Sequence, residues 1–155
     1  MHLKRYTDYS LRVLIYLASS PDHLVTIGSI AQDLDISRNH LMKVAKDLVA
    51  EGYVTSMKGK NGGLRLRRSA DQIHIGDVIR RMEGHFNLVE CLEPNNGCRL
   101  LPVCRLKPIL IQATEAFLKV LDPFTLQDVL ADSRILSEIH GDQTMPVRFL
   151  KDAMR

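Results

Sequence analysis

The sequence predicts a mainly α-helical protein with one small β-wing: a winged helix-turn-helix head, then a cysteine-bearing loop and a long dimerisation helix. Three observations predict it. Apolar residues recur at helical spacing behind polar capping residues through the first 50 positions. A glycine-rich turn between two short β-prone runs follows, and the three cysteines, Cys91, Cys98 and Cys104, fall within fourteen residues of one another.

Thr7 is a candidate cap for a first helix in which Leu11, Leu14, Ile15 and Ala18 share a face, ending at the Ser19-Ser20-Pro21 breaker. A second helix starts from a cap at Thr26, with Ile30, Ala31 and Leu34 inward, and Asp35-Ile36-Ser37 breaks the run. Ser37 caps a third. At 100° per residue Leu41, Val44, Ala45 and Leu48 point inward, which leaves Asn39, His40, Lys43 and Lys46 outward and Arg38 at the helix start. Cationic and amide side chains on an outward helix are the types that bond guanine and adenine edges in a major groove, so this is the layout of a helix-turn-helix.

Gly52 stops the third helix, Tyr53 to Met57 is β-prone, Lys58-Gly59-Lys60-Asn61-Gly62-Gly63 turns, and Leu64 to Arg68 alternates like a returning strand. Lys58 and Lys60 bring charge to the turn, and the glycines around Asn61, Gly62 and Gly63 allow close approach to a phosphate or a minor groove. The Gly-Lys-Ser/Thr ending of a nucleotide-binding loop is absent. Further on, Ile75, Val78, Ile79 and Met82 make one face of a short helix. Pro108 opens a longer one to Leu121 that is apolar around most of its axis and therefore needs two partners, one of them a second subunit. Thr125 caps a last short helix through Leu130. The expected domains are a DNA-binding head over 1–70, a cluster loop with dimerisation helices over 71–132, and a loosely ordered extension over 133–155.

Charge agrees with this division. Residues 1–70 carry eleven Lys or Arg against six Asp or Glu, whereas the remainder carries ten against twelve, so the first half is the candidate surface for a polyphosphate. Of 155 residues, 45% are hydrophobic and 25% charged, ordinary values that exclude wholesale disorder. The basic start is followed by an apolar stretch broken by Asp8, Ser10 and Arg12, which supports neither a signal peptide nor a membrane span. A cytoplasmic location is expected, where the reducing pool favours metal or redox chemistry at the cysteines over a permanent disulfide. Three thiolates are one ligand short of the usual set for an iron-sulfur cube or a structural zinc. His85, Glu90 and Glu93 are the nearby candidates for the fourth, with water or a small thiol as further options.

Taken together, Thr7-Asp8-Tyr9, Leu11-Arg12, Ser37-Arg38-Asn39-His40, Lys58 to Gly63, Ile75-Gly76-Asp77-Val78 and the three cysteines resemble the Rrf-type winged-helix regulators, and within them the nitric-oxide-sensitive repressors. The resemblance covers about residues 1–131. It implies a homodimer on double-stranded DNA with a near-palindromic operator, a 4Fe-4S cluster on Cys91, Cys98 and Cys104, and nitric oxide as the signal for detoxification genes. It also implies Asp8 of the opposite subunit as fourth ligand. Read by itself, Asp8 is a first-turn acid favoured by the helix dipole and by Arg12 four residues on. The iron-sulfur assembly regulators are the sister branch; they complete a 2Fe-2S set with a histidine at the position that here is Lys107, and an ammonium is no ligand. Other classes are a zinc or thiol sensor, a winged helix that binds protein instead of DNA, and an electron carrier or thiol enzyme, for which no substrate loop or Cys-His pattern is seen.

Overall fold

The computed structural model describes residues 2–86, 89–93 and 97–130. The extension expected over 133–155 lies outside them.

The first helix, α1, runs from Arg5 to Ala18 and buries Thr7, Ser10, Val13, Leu14, Tyr16 and Leu17. This corrects two expectations. Thr7 is not the cap but a buried residue one turn inside, and the face centred on Leu11 and Ile15 is only half-buried. The cause is long-range: the Glu83 carboxylate takes the capping role by accepting from the Lys4 backbone N–H at 3.2 Å and from the Thr7 hydroxyl at 2.5 Å. Lys4 in turn donates its ammonium to the Glu83 carbonyl at 2.7 Å. A helix start needs acceptors for its orphan N–H groups, and here one of them, at Lys4, is served by the distant chain.

Helix α2, Ile27–Asp33, is capped by Thr26, whose hydroxyl accepts from the Ser29 N–H at 3.1 Å. The turn that follows places Asp35 at φ 49°, the conformation that lets the chain leave α2 and re-enter helix within a few residues. Helix α3, Arg38–Ala50, starts from the Ser37 cap and buries Leu41, Val44, Ala45 and Leu48, the expected set. It ends because Gly52 adopts φ +75°, so that the N–H groups of Gly52 and Tyr53 reach back to the carbonyls of Val49 and Leu48 at 3.1 and 3.0 Å. Each fully buried leucine of this core, such as Leu14, Leu17, Leu41 or Leu48, contributes about 1.5–3 kcal/mol relative to an exposed one.

Strands β1, Val54–Met57, and β2, Gly63–Leu66, pair antiparallel with Val54 opposite Leu66 and Met57 opposite Gly63. A third piece of backbone joins them: Val25 and Leu64 exchange both hydrogen bonds, at 2.9 and 2.8 Å. The wing is thereby fastened to the segment just before α2. A Cβ on Gly63 would sit 2.9 Å from the Val25 carbonyl oxygen and 3.1 Å from the Leu24 carbonyl carbon, so this close approach requires glycine.

Beyond the wing, α4 (Ile75–Glu83) buries Ile75, Val78, Ile79 and Met82. Helix α5 spans Leu106–Leu121, starting one turn fraction before the expected Pro108, and α6 spans Leu126–Leu130. Thr125 caps α6 as expected, and Asp128 returns the bond to the Thr125 N–H at 2.7 Å. The start of α4 is latched to the turn between α5 and α6: the Ile75 N–H donates to Phe124 O at 2.9 Å, the Leu126 N–H to Ile73 O at 2.8 Å, and Arg80 holds both oxygens of Asp122. Leu126 is fully buried in the core that α1 and α4 also build, so this core runs without a break across residue 70. No helix among the described residues is long and apolar enough to cross a membrane.

Gly63→Ala is expected to lower stability by about 1–3 kcal/mol through this overpacking against backbone. Gly28→Ala, whose new methyl meets only the Thr26 hydroxyl at 3.6 Å, should be neutral or stabilising by up to about 1 kcal/mol. Urea midpoints of the two variants measure the contrast.

Candidate nucleic-acid interface and thiol segment

Because the four inward residues of α3 fix its rotation, Arg38, Asn39, Lys43 and Lys46 are all exposed on the other side. Ser37 is engaged locally: its hydroxyl accepts from the His40 N–H at 3.4 Å and shares a hydrogen bond with His40 Nδ1 at 2.9 Å. The His40 ring lies against that of Tyr9 of α1, with centroids 6.1 Å apart, while His40 itself stays exposed. Lys58, Lys60 and Asn61 are exposed at the wing turn. Gly62 and Gly63 are half-buried, and their missing side chains serve the hairpin itself, since a Cβ on either would press on neighbouring backbone.

Two tyrosines that sequence reasoning missed hold α1 to the helix-turn-helix. The Tyr6 hydroxyl is hydrogen-bonded to the Asp47 carboxylate near the end of α3 and lies 3.3 Å from Lys43 O, and the Lys43 ammonium stands 5.8 Å from the Tyr6 ring. The Tyr16 hydroxyl donates to Asp33 of α2 at 2.5 Å. Burial, then the hydrogen bond to Asp33 and its charge, push the Tyr16 phenol from 10.0 up to about 12; Tyr6 is pushed up for the same reasons beside Asp47. No local signal marks them, because the acids they meet are 41 and 17 residues away in sequence. Arg81 adds a bond from α4 to Glu51 at 2.6 Å.

The thiol segment joins α4 to α5. Gly84 leaves α4 at φ +75°, Cys91 lies in a short turn Glu90–Leu92, Cys98 in the loop whose carbonyl accepts from the Leu101 N–H at 3.3 Å, and Cys104 follows the turn Leu101–Val103 just before α5. All three are half-buried. Among the described residues no three Cys, His, Asp or Glu side chains gather at the range of one metal ion. The donor chemistry nevertheless suits soft metal or an iron-sulfur cluster, three thiols on one short stretch with half-exposed access. Asp8 is paired within the chain: Arg12 donates to both its oxygens at 3.0 Å. Of the rival donors His85 and Glu93 are exposed, and the Glu90 side chain lies outside the described residues.

Residues 3–132 match the model of the Rrf2 family, described as iron-dependent transcriptional regulators. The chain belongs to the Rrf2 family. It is 52% identical over 132 residues to the HTH-type transcriptional regulator NsrR of Bacillus licheniformis, covering 84% of this chain and 92% of the relative, and 46% identical over 141 residues to NsrR of Bacillus subtilis, covering 90% and 97%. Among solved structures, CymR, the global cysteine regulator of B. subtilis, is similar with a TM-score of 0.66 at 28% identity over 83% of this chain and 95% of that one. The IscR structure from T. potens shares the fold with a TM-score of 0.69 at 23% identity, over 96% and 95%. The protein is thus a winged-helix transcriptional regulator, a DNA-binding protein and not an enzyme.

A phenol whose folded pKa exceeds its unfolded one binds more protons in the native state, so its stabilisation is complete below about pH 10 and is lost as pH rises toward about 12. Tyr16→Phe should therefore unfold more easily at neutral pH, by about 1 kcal/mol for the lost bond, and show a smaller further loss between about pH 9 and pH 11 than the parent. Urea titrations at the two pH values provide the check.

Proposed function

We propose that the protein is a homodimeric repressor that senses nitric oxide through a 4Fe-4S cluster and releases a near-palindromic operator of nitric-oxide detoxification genes. The observation that carries it is the placement of three half-buried thiols on the one segment between α4, which is bonded to the start of α1, and α5. Cys91, Cys98 and Cys104 would hold the cluster, and Asp8 of the partner subunit would complete it. When bound, such a cluster supplies iron that nitric oxide attacks.

The residues of the chain do the rest. A carboxylate oxygen is a hard donor, ill matched to thiolate-bound iron, and therefore the most exchangeable corner of the set. Arg12 stands ready to take Asp8 back, as it does within the single chain. Tyr6 and Tyr9, which flank Asp8 in sequence, both touch α3, so a pull on this turn of α1 would be felt by the recognition helix. Dimerisation is supported by α5, which buries no side chain fully and leaves Ile109 59% and Val120 63% exposed. A second copy of α5 covers such a face and sets two recognition helices at the about 34–36 Å spacing of successive major grooves. Arg38, Asn39, His40, Lys43 and Lys46 then face bases, Ser37 orients His40, and Lys58, Lys60, Asn61, Gly62 and Gly63 meet the backbone or minor groove.

Alanine at any one of Cys91, Cys98 and Cys104 is expected to abolish full iron and sulfide loading in anaerobically purified protein while the head stays folded. Brown colour supports iron-sulfur; a colourless protein with one zinc per chain would instead establish a zinc sensor. Asp8→Ala should still take up a cluster, with altered absorption and nitric-oxide kinetics and weaker operator binding. A variant indistinguishable from the parent on all three would move the fourth ligand to His85, Glu90 or Glu93.

On DNA, losing a base contact at Asn39 or Lys43 should cost about 1–3 kcal/mol at one operator position, whereas Lys60→Ala should weaken all sequences and reduce the salt slope by about one unit. Gel shifts across a salt series separate the two. An unchanged slope for Lys60→Ala would remove the wing from the contact surface.

A further inference from the structure

Helix α3 presents two outward rows of side chains four residues apart: Arg38, Met42 and Lys46 in one, Asn39 and Lys43 in the other. Four of the five are cationic or amide-bearing. The exception, Met42, is 45% exposed and stands one turn after Arg38 and one turn before Lys46. It also lines an open, largely apolar groove of about 310 Å³ between α2, α3 and the wing, shared with Ile27, Val49, Leu64 and Lys46. Met42 is thus an exposed apolar side chain within an otherwise polar outward row.

A thioether has no donor for a phosphate and is only a weak acceptor for a base amino group, and left in water it gains nothing from its exposure. The edges of the base pairs in the major groove carry one apolar group, the C5-methyl of thymine. Methionine, unbranched and polarisable, adapts to such a contact, and the cations on either side of it anchor the backbone while it does so. We infer that Met42 is a specificity-determining residue that reads thymine through its methyl group, one position in each half-site. The inference rests on the docking of α3 in the major groove argued above, and adds to it a methyl contact that Arg38, Asn39, Lys43 and Lys46 cannot register through their polar groups, because a hydrogen bond does not distinguish thymine from uracil.

That last property provides the test. An operator duplex is enriched from a random-sequence duplex library with the full-length, anaerobically purified protein, and each thymine is then replaced by deoxyuridine, which removes the methyl and leaves every hydrogen-bonding group. One symmetry-related pair of substitutions should weaken binding about fourfold per half-site, the weight of one buried methyl group. With Met42→Ala the difference between thymine and deoxyuridine at that pair should vanish. Met42→Gln keeps the helix and the side-chain length, and selection with it should shift that position from thymine toward adenine, whose N6 and N7 suit a carboxamide. Equal affinity for all deoxyuridine duplexes, or a methyl effect that survives Met42→Ala, overturns the assignment. If Asn39→Ala and Lys43→Ala also leave affinity and salt slope untouched, the docking of α3 fails and the thymine contact fails with it; if those two variants weaken binding as expected, the fault lies with Met42 alone.

Discussion

A buried carboxylate is tolerable only when its lone pairs are filled, and Glu83, 8% exposed at the end of α4, fills them with the beginning of the chain. Its partners are the Lys4 N–H, the Thr7 hydroxyl and, at 3.8 Å, the Lys4 ammonium. The start of α1, the end of α4 and the exit into the thiol segment at Gly84 are consequently one mechanical unit. Breaking it would strand a charge in the core, which costs far more than an exposed pair. From that anchor α1 crosses the head and hands its orientation on, through Tyr6 to Asp47 of α3 and through Tyr16 to Asp33 of α2. The four apolar residues of the recognition helix fix its rotation, and the Tyr6–Asp47 bond adds a polar tie to α1 near its end.

How much of this was legible in the sequence depends on the range of the interaction. Thr26, Ser37 and Thr125 were readable as caps because each accepts from an N–H three residues on, and Leu41, Val44, Ala45 and Leu48 because a 3.6-residue period repeats over a long enough stretch. The true start of α1 was not readable, since its acceptor is 76 residues away from Thr7. For the same reason the Val25–Leu64 pairing, which makes the wing part of the head, left no local trace. The exposed cations of α3 and the wing follow from rotation and turn chemistry alone. The two tyrosines do not, because an aromatic residue at helical spacing reads as apolar filling until its hydroxyl is seen to meet an acid. As for the thiols, their proximity in sequence is plain, but among the described residues no three donor side chains gather, and the convergence proposed for them would depend on the fold of a loop and on a partner subunit, which no linear pattern encodes.

In the proposed dimer the apolar surface of α5 is the element that joins two heads into a pair. Cys104 lies two residues before the helix begins, and Phe117 packs 6.3 Å from Phe86, which follows the exit from α4. Whatever covers α5 thus bears on both ends of the thiol segment. In the proposed dimer the interface and the sensor share one boundary, and no separate linkage between them has to be supplied.

The proposed switch also has a reasonable scale. Within one chain Asp8 and Arg12 form an exposed pair four residues apart on a helix, an arrangement worth about 0.3–0.5 kcal/mol in general. Arg12 can therefore surrender the carboxylate at little cost when a metal ligand site competes for it, and can reclaim it when that site is lost. A coupling between sensor and operator of about 1–3 kcal/mol is typical of regulatory proteins. The intrachain pair alone is smaller than that range, so in the proposed switch most of the coupling comes from the exchangeable ligand bond, and Arg12 opposes it only weakly. A strongly buried pair at Asp8 would have locked α1 in one position, and the strong pairing in this part of the fold is instead reserved for Glu83, which has to hold in both states.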